Sequence, residues 1–394
     1  MTAISSKPQP MATSSGAVGA ALGGLLAIAA GIGIGRFVYT PILPPMVHAL
    51  HLSQSAAGLI ASANFLGYLS GALAAALPSL PGSRRAWVLG GLAVSAVTTA
   101  AMGAAGTLPE FLGLRLVGGA ASAFVLIISS TLVLEHLAEK KRSELSALHF
   151  AGVGSGIAIS AALVAGLLAF GQSWRVLWFA SGALAATTLV AVVRLLPRGA
   201  AASHGSKPHT RSELSPELRR LIIAYGLYGF GYVITATFIV AIVRATPAIR
   251  ALEPVIWIVF GLSAAPSIGI WTHIARRAGL PTAFALACIV EAVGVVASVA
   301  WQSATGIFVA AVLVGGTFMG LTALGLIWAR QLAAGDPRRA LAMVTGAFGL
   351  GQIVGPAFAG MLSDHLGSFL VPSIAAAVAL LAAAALAQWR AATA

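Results

Sequence analysis

Polar and apolar residues along this chain are sorted into blocks. Runs of some twenty or more mostly apolar residues are separated by short polar stretches, and the period of two that marks a half-buried strand is absent from them. A helix rises about 1.5 Å per residue, so roughly 20 apolar residues cross the hydrocarbon of a bilayer. Twelve such runs fall near 17–46, 53–78, 86–106, 109–134, 144–168, 174–196, 217–243, 253–275, 281–301, 304–331, 339–362 and 369–389. They predict an all-α polytopic membrane protein with twelve transmembrane helices. The least apolar internal stretch divides them six and six. The resulting order is a tail at 1–16, a six-helix bundle at 17–196, a linker at 197–216, a second bundle at 217–389 and a tail at 390–394.

Composition supports lipid as the surrounding medium. Of the 394 residues, 59% are hydrophobic and 8% are charged, whereas a soluble domain carries about 25% charged residues. The net charge of +13 does not mark a nucleic-acid surface, because the basic residues lie in separate loops and form no single patch. Of the 23 lysines and arginines, 18 fall on one set of alternate loops, and only Arg175, Arg244 and Arg250 fall on the other. Positive loops stay in the cytoplasm, which places both termini there and requires an even number of spans. The single cysteine, Cys288, lies within a span, so neither an internal disulfide nor a thiolate metal site is expected. His48 and His51 share a loop without a third ligand. No lysine follows a glycine, which excludes a Walker phosphate loop. No cofactor, no metal and no enzymatic chemistry are expected.

The two halves echo each other. Gly33-Ile-Gly35 resembles Gly229-Phe-Gly231, Gly152-Val-Gly154 resembles Gly349-Leu-Gly351, and Arg84-Arg85 resembles Arg276-Arg277, all at offsets close to half the chain. Parallel repeats of this kind are a known transporter architecture, with the substrate site between the halves near the midplane. The segments Gly33-Ile-Gly-Arg-Phe-Val-Tyr-Thr-Pro-Ile-Leu-Pro44, Trp174-Arg175-Val-Leu-Trp178 and Gly349-Leu-Gly-Gln-Ile-Val-Gly-Pro356 resemble those of the major facilitator superfamily. Within it they are most similar to the YbfB/YjiJ-like transporters of bacteria. The resemblance implies two pseudo-symmetric six-helix bundles in the bacterial inner membrane. It further implies a monomer that moves a small-molecule substrate by alternating access, with protons as coupling ion and export as the favoured direction; uptake or facilitated passage in the same fold is the alternative. It also implies an arginine motif in the fourth span, met by Arg115-Leu-Val-Gly-Gly119. The family's loop between spans two and three normally carries an aspartate, and Gly82-Ser83-Arg84-Arg85 lacks it. The antiporter motif of the fifth span normally contains Gly-Pro, and Gly152-Val-Gly-Ser-Gly156 has no proline.

Several polar residues inside spans are candidates for the chemistry. Arginine at membrane depth costs at least about 2.5–3.5 kcal/mol and therefore faces protein or a watery cavity. Arg36 and Arg115 could hold a substrate anion, since a guanidinium fork suits a carboxylate. Alternatively they cap backbone carbonyls or pair with Glu110. Asn64 and Tyr68, one helical turn apart, could line the cavity or bind neighbouring helices; Tyr39 is similar. Tyr225, Tyr228 and Tyr232 share one helix face, as packing or as a ligand wall. Gln352 is a further cavity candidate, and Trp257 reads as an interfacial anchor. Proton-coupling candidates are Arg115, His149 and Glu291. The superfamily places its ninth helix, which carries Glu291, away from the cavity.

Overall fold

The computed structural model describes residues 14–77, 80–197, 214–333 and 337–389. The tail at 390–394, most of the tail at 1–16 and most of the linker at 197–216 lie outside them. Among the described residues the chain is helical, with no strand. The first bundle consists of α1 (Gly16–Leu50), α2 (Gln54–Ala75), α3 (Arg84–Ala101), α4 (Leu108–Glu139), α5 (Ser143–Ala169) and α6 (Trp174–Leu195). The second consists of α7 (Pro216–Ala245), α8 (Pro247–Ala264, resuming as Ser267–Ala278), α9 (Leu280–Ala300), α10 (Ala304–Leu332), α11 (Pro337–Leu366) and α12 (Leu370–Gln388).

Eleven of these helices are long and apolar enough to cross a membrane. The exception is α3, which opens on Arg84 and Arg85 and carries Ser95, Thr98 and Thr99. It packs against α4 and α6 within the first bundle. The expected span at 253–275 breaks at Pro266, whose ring nitrogen has no hydrogen to donate; Ser267 beside it binds the Gly316 carbonyl at 2.7 Å. Helix α4 runs past its expected end at 134 to Glu139. Glu135 there meets Arg84 at 2.7 Å, so the added turn remains tied to the bundle. Large apolar side chains stand exposed around the rim, among them Leu66, Val97, Ile159, Leu262 and Val378. Such a rim suits lipid, which also forces every backbone group to find a partner within the protein.

The halves meet along α1 with α7, α2 with α11 and α5 with α8. The approach is close enough to need glycine. A Cβ at Gly58 would lie 2.2 Å from the Pro356 oxygen, and one at Gly154 would lie 2.3 Å from the Ala265 nitrogen. A few polar bonds cross the seam: Thr40 Oγ1 donates to the Ala236 carbonyl at 2.8 Å and Ser62 Oγ to the Ile353 carbonyl at 2.7 Å. At the arginine-poor end, the Asp364 carboxylate of α11 accepts from the Gln54 amide at 2.8 Å, the Ser55 amide at 2.7 Å and the Ser55 hydroxyl. Those amides open α2, where a helix presents unpaired N–H groups and positive dipole to an anion.

Replacing Asp364 by Asn removes the charge from this latch while preserving its size. Ser62→Cys places a thiol deeper in the same seam, and native Cys288 is buried. Labelling of that thiol by a membrane-impermeant maleimide should accelerate several-fold in Asp364→Asn. An unchanged rate would show that the carboxylate does not hold the seam shut.

Candidate functional site

The site begins with a fault in α1. From Ala29 to Ile34 the helix widens into a π-turn, and the Gly35 amide reaches back to Ala30 at 2.9 Å. The regular α-helix resumes only at Tyr39. Two devices maintain the break. Pro41 has no N–H for the Phe37 carbonyl four residues earlier, and the Trp257 indole of the other half donates to that carbonyl at 3.2 Å. Arg115 of α4 donates through Nη1 to the Gly35 carbonyl at 3.1 Å and through Nη2 to the Arg36 carbonyl at 3.0 Å. π-turns of this kind occur frequently at functional sites.

Arg36 projects from this break and is only 6% exposed. Its guanidinium carbon lies 4.3 Å from the centre of the Tyr68 ring, 4.5 Å from that of Phe65 and 5.4 Å from that of Phe37. Stacking on aromatic faces stabilises a desolvated cation by up to about 2 kcal/mol, but it leaves the N–H edges unsatisfied. Both Nε and Nη2 are buried without a hydrogen-bond partner. The pairs Arg84–Glu135, Arg142–Glu144 and Arg244–Glu253 lie towards the helix ends. Glu110 caps the start of α4 by accepting from the Gly106 amide at 2.8 Å and the Thr107 amide at 3.0 Å, so its bonds go to backbone and not to Arg115.

Three other candidates from the first half form a bracket around Arg36. Asn64 donates to the Arg115 carbonyl at 3.0 Å. Arg115 holds the α1 backbone as described, with Tyr39 beneath its guanidinium at 5.0 Å. The Tyr39 hydroxyl donates to the Ala57 carbonyl at 2.8 Å. Their donors tie α1, α2 and α4 together. Tyr68 differs, because its ring lies against Arg36 itself.

The second half supplies an aromatic wall. Tyr232 stacks near-parallel with Phe318 at 5.7 Å and with Phe348 at 5.8 Å, and Tyr228 stacks on Tyr232 at 5.2 Å. The Gln352 amide donates to the Tyr232 hydroxyl, leaving the Gln352 oxygen buried and unpartnered. Tyr228 bonds the Phe318 carbonyl and meets the Thr322 hydroxyl at 2.9 Å; Tyr225 donates to the Thr322 carbonyl at 2.9 Å. Phe37 crosses the seam to meet Phe318 at 5.9 Å, and Arg36 lies within electrostatic reach of Tyr232. Trp257 is fully buried and bonded to Phe37, so the expectation of an interfacial anchor is corrected. Phe37, Phe65, Phe318, Phe348 and Trp257 were not among the sequence candidates. Only the position of Phe37 next to Arg36 could have drawn attention, since an aromatic ring in an apolar run has no distinctive pattern.

The two acid–base candidates lie apart. His149 meets the Ser130 hydroxyl at 3.0 Å within the first half and packs against Gly24. Glu291 of α9 is fully buried with both carboxylate oxygens unpartnered. Thr317 stands beside it, but its hydroxyl donates to the Leu313 carbonyl at 2.7 Å. Tyr228 and Tyr232 both lie within its electrostatic reach. Clefts of about 630, 550 and 610 Å³ open near helix ends, and none is lined by Arg36. The arginine is enclosed between the halves.

A family model described as "Uncharacterised MFS-type transporter YbfB" matches residues 28–388. The chain belongs to the YbfB family of MFS-type transporters. Solved structures agree on the fold. A variant of the nucleoside transporter NupG is 12% identical, with a TM-score of 0.73 over 93% of this chain and 99% of that one. A bacterial homologue of the human lysosomal transporter Spinster, inward-facing and unoccupied, is 16% identical, with a TM-score of 0.70 over 95% and 97%. No curated protein matches the sequence significantly. Identities this low show a shared fold alone and leave the substrate of this YbfB-family chain to be argued from the site.

Arg115→Gln should lower thermal stability in detergent, because the carbonyls of Gly35 and Arg36, just past the π-turn, lose their donors. A lost charged hydrogen bond with a buried partner left behind costs about 1–3 kcal/mol. Lysine should rescue little, since an ammonium lacks the planar fork that spans two carbonyls. Full stability in Arg115→Gln would show that the bracket is dispensable.

Proposed function

We propose that this chain is a secondary active transporter of a small organic anion, working by alternating access between bundles at 17–196 and 217–389. The observation that carries the reading is Arg36: a buried guanidinium at the seam between the halves, with two unpaired donors and aromatic rings on its faces. A cation in that state is costly in lipid unless a visiting group completes it. The site is enclosed where the two halves pack against each other. Rocking of one half against the other would therefore expose the arginine to each side in turn.

The charge pattern puts the arginine-rich end and both termini in the cytoplasm of a bacterial inner-membrane protein, acting as a monomer with protons as coupling ion. Of the three coupling candidates, Glu291 is the best supported. Its carboxylate is unpartnered, and it shares the neighbourhood of Tyr232 with Arg36. Arg115 gives both Nη donors to backbone carbonyls, and His149, though its Nδ1 is unpartnered, lies with Ser130 within the first half and away from Tyr232.

Solute counterflow in proteoliposomes, run over radiolabelled organic acids and size-matched neutral solutes, tests this reading. Acids should exchange and neutral solutes should not, and Arg36→Gln should abolish the exchange. Equal exchange of neutral solutes, or full exchange in the variant, would overturn the assignment.

A further inference from the structure

We infer that the solute bound at Arg36 is a planar aromatic monocarboxylate carrying a hydrogen-bond donor on its ring, with hydroxybenzoate-like chemistry. This deepens the transporter reading above and rests on it. Three features of the site define the class.

The first is which donors are free. In a guanidinium, Nε and Nη2 share one edge, and their N–H bonds run nearly parallel. Those two are the unpartnered donors of Arg36. A carboxylate presents two oxygens at matching separation and closes a two-bond fork on that edge.

The second is charge. Arg36 is the one cation of the described spans whose fork is both buried and unfilled, because the Arg115 fork is on backbone. All four lysines, Lys7, Lys140, Lys141 and Lys207, lie outside the spans expected from sequence. Bonds to carbonyls do not cancel the charge of Arg115, so it is the single open fork that selects a single carboxylate. The second anionic group of a phosphate ester or dicarboxylate would enter an enclosed aromatic site with no second open fork to meet it, which is strongly unfavourable.

The third is the wall. Phe37, Phe65 and Tyr68 surround the guanidinium, Phe318 lies one ring further out against Phe37, and Tyr232 stacks on Phe318. Offset and near-parallel stacking already orders these rings, so a further flat ring gains stacking energy where an aliphatic chain of equal area does not. The Gln352 oxygen, buried and unpartnered, adjoins Tyr232. It is an acceptor awaiting a donor, and a hydroxyl or amine on the ring would supply one. One end of the site thus lacks an acceptor and the other lacks a donor, with aromatic faces between.

The test is equilibrium binding to the purified full chain, read by thermal shift and by tryptophan fluorescence, with Trp257 bonded to the Phe37 carbonyl beside Arg36. The probes are para-hydroxybenzoate, benzoate, cyclohexanecarboxylate, benzamide, terephthalate and phenyl phosphate. Para-hydroxybenzoate should bind best. Benzoate should follow at about tenfold weaker affinity, the scale of a lost buried hydrogen bond. Cyclohexanecarboxylate should be weaker again, and the remaining three should not compete. Arg36→Gln and Arg36→Lys should both lose binding, while Gln352→Leu should keep benzoate affinity and lose the preference for the hydroxyl. The Gln352 variant leaves the arginine intact, so the class remains testable even if Arg36 variants fold poorly. Tight binding of benzamide or of the dianions, or no binding of any aromatic monocarboxylate at millimolar concentration, would overturn the inference. If other anions then exchange in counterflow through Arg36, the substrate class falls and the transporter stands; if no solute exchanges, the transporter reading falls as well.

Discussion

A guanidinium with two free donors, enclosed in protein that is itself surrounded by hydrocarbon, is the constraint on which the rest of the structure depends. Water cannot reach it cheaply, and no carboxylate is bonded to it. Aromatic faces stabilise the cation without filling its hydrogen bonds. The nearby irregularities are the means of holding Arg36 at this depth. The π-turn of α1 redirects the backbone, Arg115 accepts the task of completing the carbonyls that the turn exposes, and Asn64 and Tyr39 fix α2 against α4 and α1. A binding group must be positioned by neighbours whose own geometry is locked.

The same bookkeeping of backbone groups describes how the two halves meet. In lipid each carbonyl needs a partner. The Phe37 carbonyl, which Pro41 cannot serve, takes the Thr40 amide and Trp257 across the seam, and the Thr40 hydroxyl reaches Ala236 in return. These are single bonds between flat, glycine-lined faces. At the arginine-poor end the Asp364 carboxylate adds a charge on the opening turn of α2. Around these bonds α2 packs closely on α11 and α5 on α8, with Gly58 and Gly154 at the points of nearest approach.

The fold was largely legible in the sequence because hydrocarbon imposes a coarse rule that long apolar runs obey. Helix α3 shows the limit of that rule: arginines in its first turn and hydroxyls on its buried face lower its apolar character, yet packing against α4 and α6 holds it in the bundle. Pro266 shows another, since a break within an apolar run hardly alters its composition. In the site, Arg36 was visible as a charge in an apolar stretch. Arg115 and Asn64 have the same signature, but the structure gives the two Nη groups of Arg115 and the amide of Asn64 to neighbouring backbone; sequence does not distinguish a polar side chain that serves a ligand from one that serves a helix. Phe318, Phe348 and Trp257 were silent, because what makes them a wall is their convergence from α8, α10 and α11.

The central claim is that Arg36 is held unsatisfied for a ligand and, once the cost of burying it is set against its aromatic contacts, adds no net stability to the ligand-free fold. Thermal or denaturant unfolding of ligand-free Arg36→Met, against the unmodified chain in the same detergent, tests it most directly. Methionine fills similar space among the rings without a charge. The account expects an unfolding midpoint equal to or above that of the native chain, as for other positions where function is kept at the expense of stability. A clear fall in the midpoint would contradict it, showing that the arginine is a structural strut and that the binding group lies elsewhere.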